Sequence, residues 1–220
     1  MLRHFIITLI LCCLVSFNSY ALDKILLYGD SLMSGYKLDK KNSLNNILEQ
    51  KLLLLGYNYK IINASIPGET SFGGLNRLNW TLAEKNITHV VLCLGANDML
   101  RGIKPNETYK NLEKIIKVIN AKNVKIILAG MIAPSSYGKK YKDNFDIIYP
   151  DLAKKFDLLF IPFLLQDVAL NPELNLSDGI HPNEKGVKII SNTISKKLIT
   201  ILKNWINKFF LVFGFDPKHY

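Results

Sequence analysis

The run Thr88-His-Val-Val-Leu-Cys-Leu94, closed by Gly95-Ala-Asn-Asp98, decides how this chain folds. Val90 to Leu94 are five apolar residues in succession, with no polar alternation. A strand of that kind is buried on both faces, as in a parallel sheet covered by helices. Working outward, four more short apolar runs have the same character: Lys24–Tyr28, Tyr59–Ile62, Val124–Leu128 and Leu158–Ile161. Between them lie longer stretches of helical period, Ser43–Leu55, Gly74–Lys85, Pro105–Asn120 and Lys140–Lys155, and a last one runs from Asn183 to about Asn204. Pro105 suits a first helical turn, whereas Pro150 is expected to bend or interrupt its helix. The alternation predicts one α/β domain: a three-layer α/β/α sandwich on a five-stranded parallel sheet, flavodoxin-like, with right-handed crossovers.

The chain has 220 residues, 49% hydrophobic and 21% charged, which excludes a disordered tail, a coiled coil and a polytopic membrane protein. It opens with Arg3, an apolar stretch from Phe5 to Phe17, and Ser19-Tyr-Ala21. That order reads as a secretory signal peptide over 1–21, with an uncleaved N-terminal anchor as the alternative. Cleavage would remove Cys12 and Cys13 and leave Cys93 inside an apolar run, a buried thiol rather than a reactive one. The domain is expected over 22–204 and an apolar extension over 205–220. Lys and Arg (28) exceed Asp and Glu (18), giving +10, but the lysines are scattered and no aromatics interleave with them. A solvated surface is the better reading than a nucleic-acid partner.

In such sheets ligands bind beyond the carboxyl ends of the strands. After the first strand stands Gly29-Asp-Ser31-Leu-Met33, which is not a G-x-S-x-G elbow because Met33 takes the second glycine's place. Alone it is weak, and a plain turn reads equally well. After the second strand, Gly68 can offer its backbone N–H without a side chain in the way. After the third, Asn97 can donate an amide hydrogen. After the fifth, Asp178-Gly-Ile-His181-Pro has a carboxylate and an imidazole three residues apart, so that the acid can hold one ring nitrogen and leave the other for Ser31. A helix cap with a surface histidine is the alternative for that motif alone. Together, four loops on one sheet edge supply a nucleophile, oxyanion donors and an oriented base, the parts of acyl-transfer catalysis.

These motifs resemble the SGNH, or GDSL-type, hydrolases, and the resemblance runs from about Lys24 to Lys203. Asn63-Ala-Ser-Ile66, Leu100-Arg-Gly102 and Ile148-Tyr-Pro150 support it. Ala96 departs from it, standing where a second glycine is common. The resemblance implies a catalytic triad of Ser31, His181 and Asp178, and an oxyanion hole of Ser31, Gly68 and Asn97. It also implies a bacterial periplasmic esterase acting on carboxylic esters, acyl thioesters or lysophospholipids, and a monomer is expected; His89 has no ligand cluster beside it and no G-x-G-x-x-G or Walker pattern opens a helix, so no metal and no cofactor are expected. By position, Met99, Leu100, Ala133 and Pro134 are expected to line an acyl groove. The rival readings are a carbohydrate O-acetyl esterase on the same residues and a non-catalytic protein binding a membrane surface through its charge and apolar tail. The tail is otherwise expected to pack on the domain or to be disordered.

Overall fold

The computed structural model describes residues 22–203. The expectations for 1–21 and 205–220 lie outside the described residues. Five parallel strands form one sheet in the order β2-β1-β3-β4-β5: β1 Lys24–Gly29, β2 Lys60–Asn63, β3 Ile87–Cys93, β4 Lys125–Ala129 and β5 Leu159–Ile161. The central register sets Leu26 beside both Ile62 and Val90, and Val90 beside Ile126. Every residue from Val90 to Leu94 is fully buried, as the apolar run requires. His89 lies inside β3 with its Nε2 buried and unpartnered, its Nδ1 2.8 Å from Thr88 Oγ1.

Two helices, α2 (Leu44–Leu54) and α8 (Glu184–Leu198), pack together on one face of the sheet. On the other, α3 (Ser71–Thr81), α5 (Pro105–Asn120), α6 (Lys139–Asp146) and α7 (Ile148–Phe156) pack in sequence. The three-layer α/β/α sandwich is therefore the fold. Two short helices cap strand ends: α1 (Ser31–Ser34) after β1 and α4 (Ala96–Leu100) after β3.

Three helix boundaries differ from the sequence reading. The break in 140–155 falls at Ile147, not at Pro150, which is the third residue of α7. There its missing N–H has no intrahelical acceptor to lose. α3 starts at Ser71 rather than Gly74, because Thr70 caps it by accepting from Gly73 N at 3.2 Å. α8 stops at Leu198 rather than near Asn204: Thr200 Oγ1 takes the carbonyl of Lys197 at 2.7 Å, within the β-branched run Ile199-Thr-Ile201.

Candidate active site

β1 delivers the nucleophile candidate. Gly29 lets β1 lie close to β3, since a Cβ there would sit 2.6 Å from Cys93 O. Asp30 then caps α1, its Oδ1 accepting from Leu32 N at 3.0 Å, so that Ser31 becomes the first residue of that helix. Ser31 Oγ is 2.9 Å from His181 Nε2, and His181 Nδ1 is 2.9 Å from Asp178 Oδ2. The other oxygen, Asp178 Oδ1, accepts from the backbone N–H groups of Ile180 and His181, both at 3.0 Å. The His181 N–H, then the imidazole, then the Ile180 N–H hold the Asp178 carboxyl well below the usual carboxylate range.

Spacing alone does not bring Asp178 and His181 into line. Gly179 turns at φ +70, Leu176 N donates to His181 O at 2.7 Å, and Asn175 bridges to Pro182. The cap of α8 is Asn183, which accepts from Lys185 N and Gly186 N. The helix-cap reading of the Asp178–His181 motif is thereby excluded. Asn175 also begins an Asn-Leu-Ser glycosylation triplet, but it is buried and its Nδ2 donates to Val168 O and Asn171 O. It has no room to carry a glycan.

The oxyanion candidates stand where expected, with additions. Gly68 has φ +77, and a Cβ there would meet only Arg101 Nη2 at 3.7 Å. Backbone conformation, rather than crowding, is what asks for glycine. Arg101 Nη2 donates to Gly68 O at 2.7 Å and holds that loop. Asn97 Nδ2 donates to Asp30 Oδ2 at 3.2 Å and to Glu69 O at 3.1 Å, so both of its protons have acceptors. Ala96 starts α4 as a buried residue, behind Gly95 at φ +116, where a Cβ would overlap Tyr149 Oη. The Ile148-Tyr-Pro150 stretch thus packs Tyr149 beneath the Asn97 loop, with its hydroxyl on Leu94 O at 3.0 Å.

Asp30, Tyr36, Asp98 and Arg101 are the residues that sequence reasoning passed over. Asp98 is wholly buried. It accepts from Ser71 N at 2.7 Å and Ser71 Oγ at 2.5 Å, and from Thr108 Oγ1 at 3.2 Å, tying α3 and α5 to the α4 loop. Tyr36 sets its ring 4.5 Å from that of His181, tilted by 43°. Asp30, Asp98 and Arg101 do stand inside the stretches Gly29-Asp-Ser31, Gly95-Ala-Asn-Asp98 and Leu100-Arg-Gly102, and the signal for Tyr36 is only its nearness to Ser31. Glu69, paired with Arg77, lies beside the same loop. Burial pushes the Asp30 carboxyl up to about 7, against the opposing hydrogen bonds from Leu32 and Asn97. Between its ordinary value of 3.8 and about 7, the folded chain therefore keeps a proton that the unfolded chain has lost. The contribution of Asp30 to stability falls as pH rises through that interval and levels off above it, by up to about 4 kcal/mol, while His89, pushed down to about 4 by burial, contributes in the opposite sense between 4 and its ordinary 6.5. Urea unfolding of the native protein and of Asp30→Asn at several pH values should give curves that diverge from pH 4 to 7. Parallel curves would show that Asp30 does not titrate there.

Ser31, His181, Gly68 and Asn97 border one cavity of about 660 Å³. All four expected groove residues, Met99, Leu100, Ala133 and Pro134, line it, and Met131, Phe163 and Leu165 add apolar wall from the loops after β4 and β5. Lys142 holds the first of these loops through Ala133 O at 2.7 Å, while its partner Asp146 accepts from Ala133 N at 2.8 Å. Cys93 is buried and its thiol is pushed up by burial, in keeping with a structural role. Among the described residues no group of three or more His, Cys, Asp or Glu could hold a metal, and no helix is long and apolar enough to cross a membrane.

The comparisons agree with this geometry. The model of the GDSL-like Lipase/Acylhydrolase family matches residues 27–189. The Thioesterase 1/protease 1/lysophospholipase L1 of Escherichia coli K12 is 36% identical over 185 residues, covering 84% of this chain and 88% of that protein. The arylesterase of Vibrio mimicus is 35% identical over 194 residues, covering 88% and 97%. Among solved structures, TesA superposes with a TM-score of 0.78 at 33% identity, covering 82% of this chain and all of that one. The psychrotrophic esterase EstA of Pseudoalteromonas sp., inhibited by monoethylphosphonate, gives 0.76 at 31%, covering 84% and 99%.

Proposed function

This chain belongs to the GDSL-like lipase/acylhydrolase family and is a hydrolase of ester bonds, and we propose that it works through an acyl-enzyme on Ser31 with carboxylic esters and acyl thioesters of apolar acids as substrates. The observation that carries the reading is the continuous line Asp178–His181–Ser31 opening onto an apolar cavity. In the proposed sequence, Ser31 Oγ bonds to the acyl carbon as its proton passes to His181 Nε2. The carbonyl oxygen takes the negative charge and is met by the N–H groups of Ser31 and Gly68 and by the Asn97 amide. Asn97 must turn one of its N–H hydrogen bonds from a present acceptor to the oxyanion, and its 3.2 Å bond to Asp30 is the longer of the two. The bond to the leaving oxygen or sulfur then breaks as His181 returns the proton to it. Water repeats the cycle on the acyl-enzyme and restores Ser31 Oγ–H. Asp178, ionised throughout, holds the tautomer with Nδ1–H and leaves Nε2 free to accept.

The apolar wall of Met131, Ala133, Phe163 and Leu165 favours an acyl chain over an acetylated sugar. Initial rates on p-nitrophenyl esters from two to sixteen carbons test this: hydrolysis should rise beyond the acetyl ester. A preference for acetyl groups, with sugar acetates turned over faster, would replace the acyl-chain reading. We further propose that residues 1–21 export the chain to a bacterial periplasm, as their basic, apolar and small-residue order suggests. N-terminal sequencing of the periplasmic protein would start at Leu22 on this reading.

A further inference from the structure

The opening of the cavity is ringed by large aliphatic side chains that stand in water. Leu100 is 51% exposed, Ile132 41%, Leu170 93% and Ile180 50%, and all four border the cavity. They come from three strand-end segments: Leu100 from the end of α4, Ile132 from the loop after β4, and Leu170 and Ile180 from the connection between β5 and α8. Isolated exposed leucines need no explanation, but four around one opening do.

Leu170 is the extreme case. Its backbone lies at φ +63, a region that branched side chains rarely adopt and glycine adopts freely. The loop is nevertheless tied down on both sides of it. Ala169 N donates to Leu165 O at 2.9 Å, and the buried Asn175 donates from Nδ2 to Val168 O at 2.7 Å and to Asn171 O at 2.8 Å. The fold thus holds a leucine outward in a costly conformation where it contributes no burial. Among the described residues nothing covers it, and a strained, exposed side chain of that kind points to a ligand or surface that meets it.

Two cations stand at the same rim. Lys37 Nζ is 5.0 Å over the ring of Tyr36, and Arg101 is bonded to Gly68 O; both Tyr36 and Gly68 border the cavity. Neither cation enters any of the ion pairs formed among the described residues. The two carboxylates that border the cavity or hold its histidine are engaged: Asp30 is buried and Asp178 is taken up by His181. The whole chain carries +10.

We propose that this rim docks on an anionic lipid–water interface, with Leu100, Ile132, Leu170 and Ile180 entering the apolar layer and Lys37 and Arg101 meeting lipid phosphates. A protein seated on all four aliphatics would seal the cavity, whereas a lipid layer would feed it an acyl ester directly. The choice of lipid rests on the acyl-ester reading of the cavity; the docking surface itself does not need turnover.

The test is co-sedimentation with vesicles of phosphatidylcholine containing phosphatidylglycerol, using the chain from Leu22 to Tyr220. Native protein and Ser31→Ala should bind alike, and binding should weaken as salt rises. Leu170→Asp should weaken it by about tenfold or more, since a buried apolar contact becomes a charge facing anionic lipid. Leu170→Gly relieves the backbone, so its melting temperature should hold or rise while vesicle binding still falls. A merely structural role for Leu170 predicts no loss in that variant. A fluorophosphonate should still label Ser31 in both variants, which shows that the triad is intact. Binding undiminished by Leu170→Asp, or absent from protein that hydrolyses p-nitrophenyl acetate, overturns the proposal. Vesicle binding that Leu170→Asp weakens, in protein without esterase activity, supports the docking surface and overturns the proposed chemistry instead.

Discussion

Replacing Ser31 by Ala should lower turnover of a p-nitrophenyl ester by about 10⁴–10⁶-fold while the protein stays folded. The size of the effect follows from what the hydroxyl does on the proposed pathway: it forms the covalent bond, and nothing else on the site can. Water held by the remaining donors would give only the residual rate that oxyanion stabilisation and binding provide. The small structural cost follows from the hydrogen bonds. Ser31 Oγ is bonded to His181 Nε2 alone, whereas the backbone of Ser31 accepts from Ser34 Oγ whatever its side chain. Alanine also suits the first turn of a helix. A fluorophosphonate should label the native serine and leave the variant unmodified, with matching melting temperatures as the control. A variant that keeps a tenth of the native rate would place the nucleophile elsewhere.

Asp178→Asn should cost about 10³–10⁴-fold in turnover, for a different reason. Asparagine can keep the bonds its oxygen accepts from Ile180 N and His181 N, so the turn survives. Its amide would then face His181 Nδ1 as a donor where an acceptor is required. The imidazole answers by carrying its proton on Nε2, and Nε2 can no longer accept the proton of Ser31 Oγ. Because Asp178 is held well below the usual carboxylate range, it is ionised at neutral pH and accepts from His181 Nδ1–H there. Circular dichroism should be unchanged in the variant. Near-native turnover would mean that His181 is oriented by something other than Asp178, with the tilted Tyr36 ring the first group to suspect.

Much of the fold was legible because burial on both faces leaves an unmistakable trace. Val90–Leu94 has no polar position, and a run of that kind fits only the middle of a covered sheet. The boundaries that differed were set by single hydrogen bonds. Thr70 and Thr200 each end or begin a helix with a hydroxyl, and nothing in hydrophobic period records which carbonyl or amide a hydroxyl will take. Pro150 was misread because proline breaks a helix only where a bond exists to lose.

The residues of the proposed site were legible by type and spacing: Ser31, Gly68, Asn97, Asp178 and His181 each follow a strand on the same edge of the sheet. That much the sequence by itself determined, together with the three layers and the family resemblance. Only the tertiary structure decided how those residues are held. Asp30 receives Asn97 across 67 positions, Asp98 joins α3, α4 and α5 from inside the core, and Leu170 is clamped outward by Asn175. The physical reason is that hydrophobic period reports what each residue does relative to the nearest layer, whereas a buried carboxylate or a strained, exposed leucine is defined by partners, and by the lack of them, that come together only once distant strands have been set side by side.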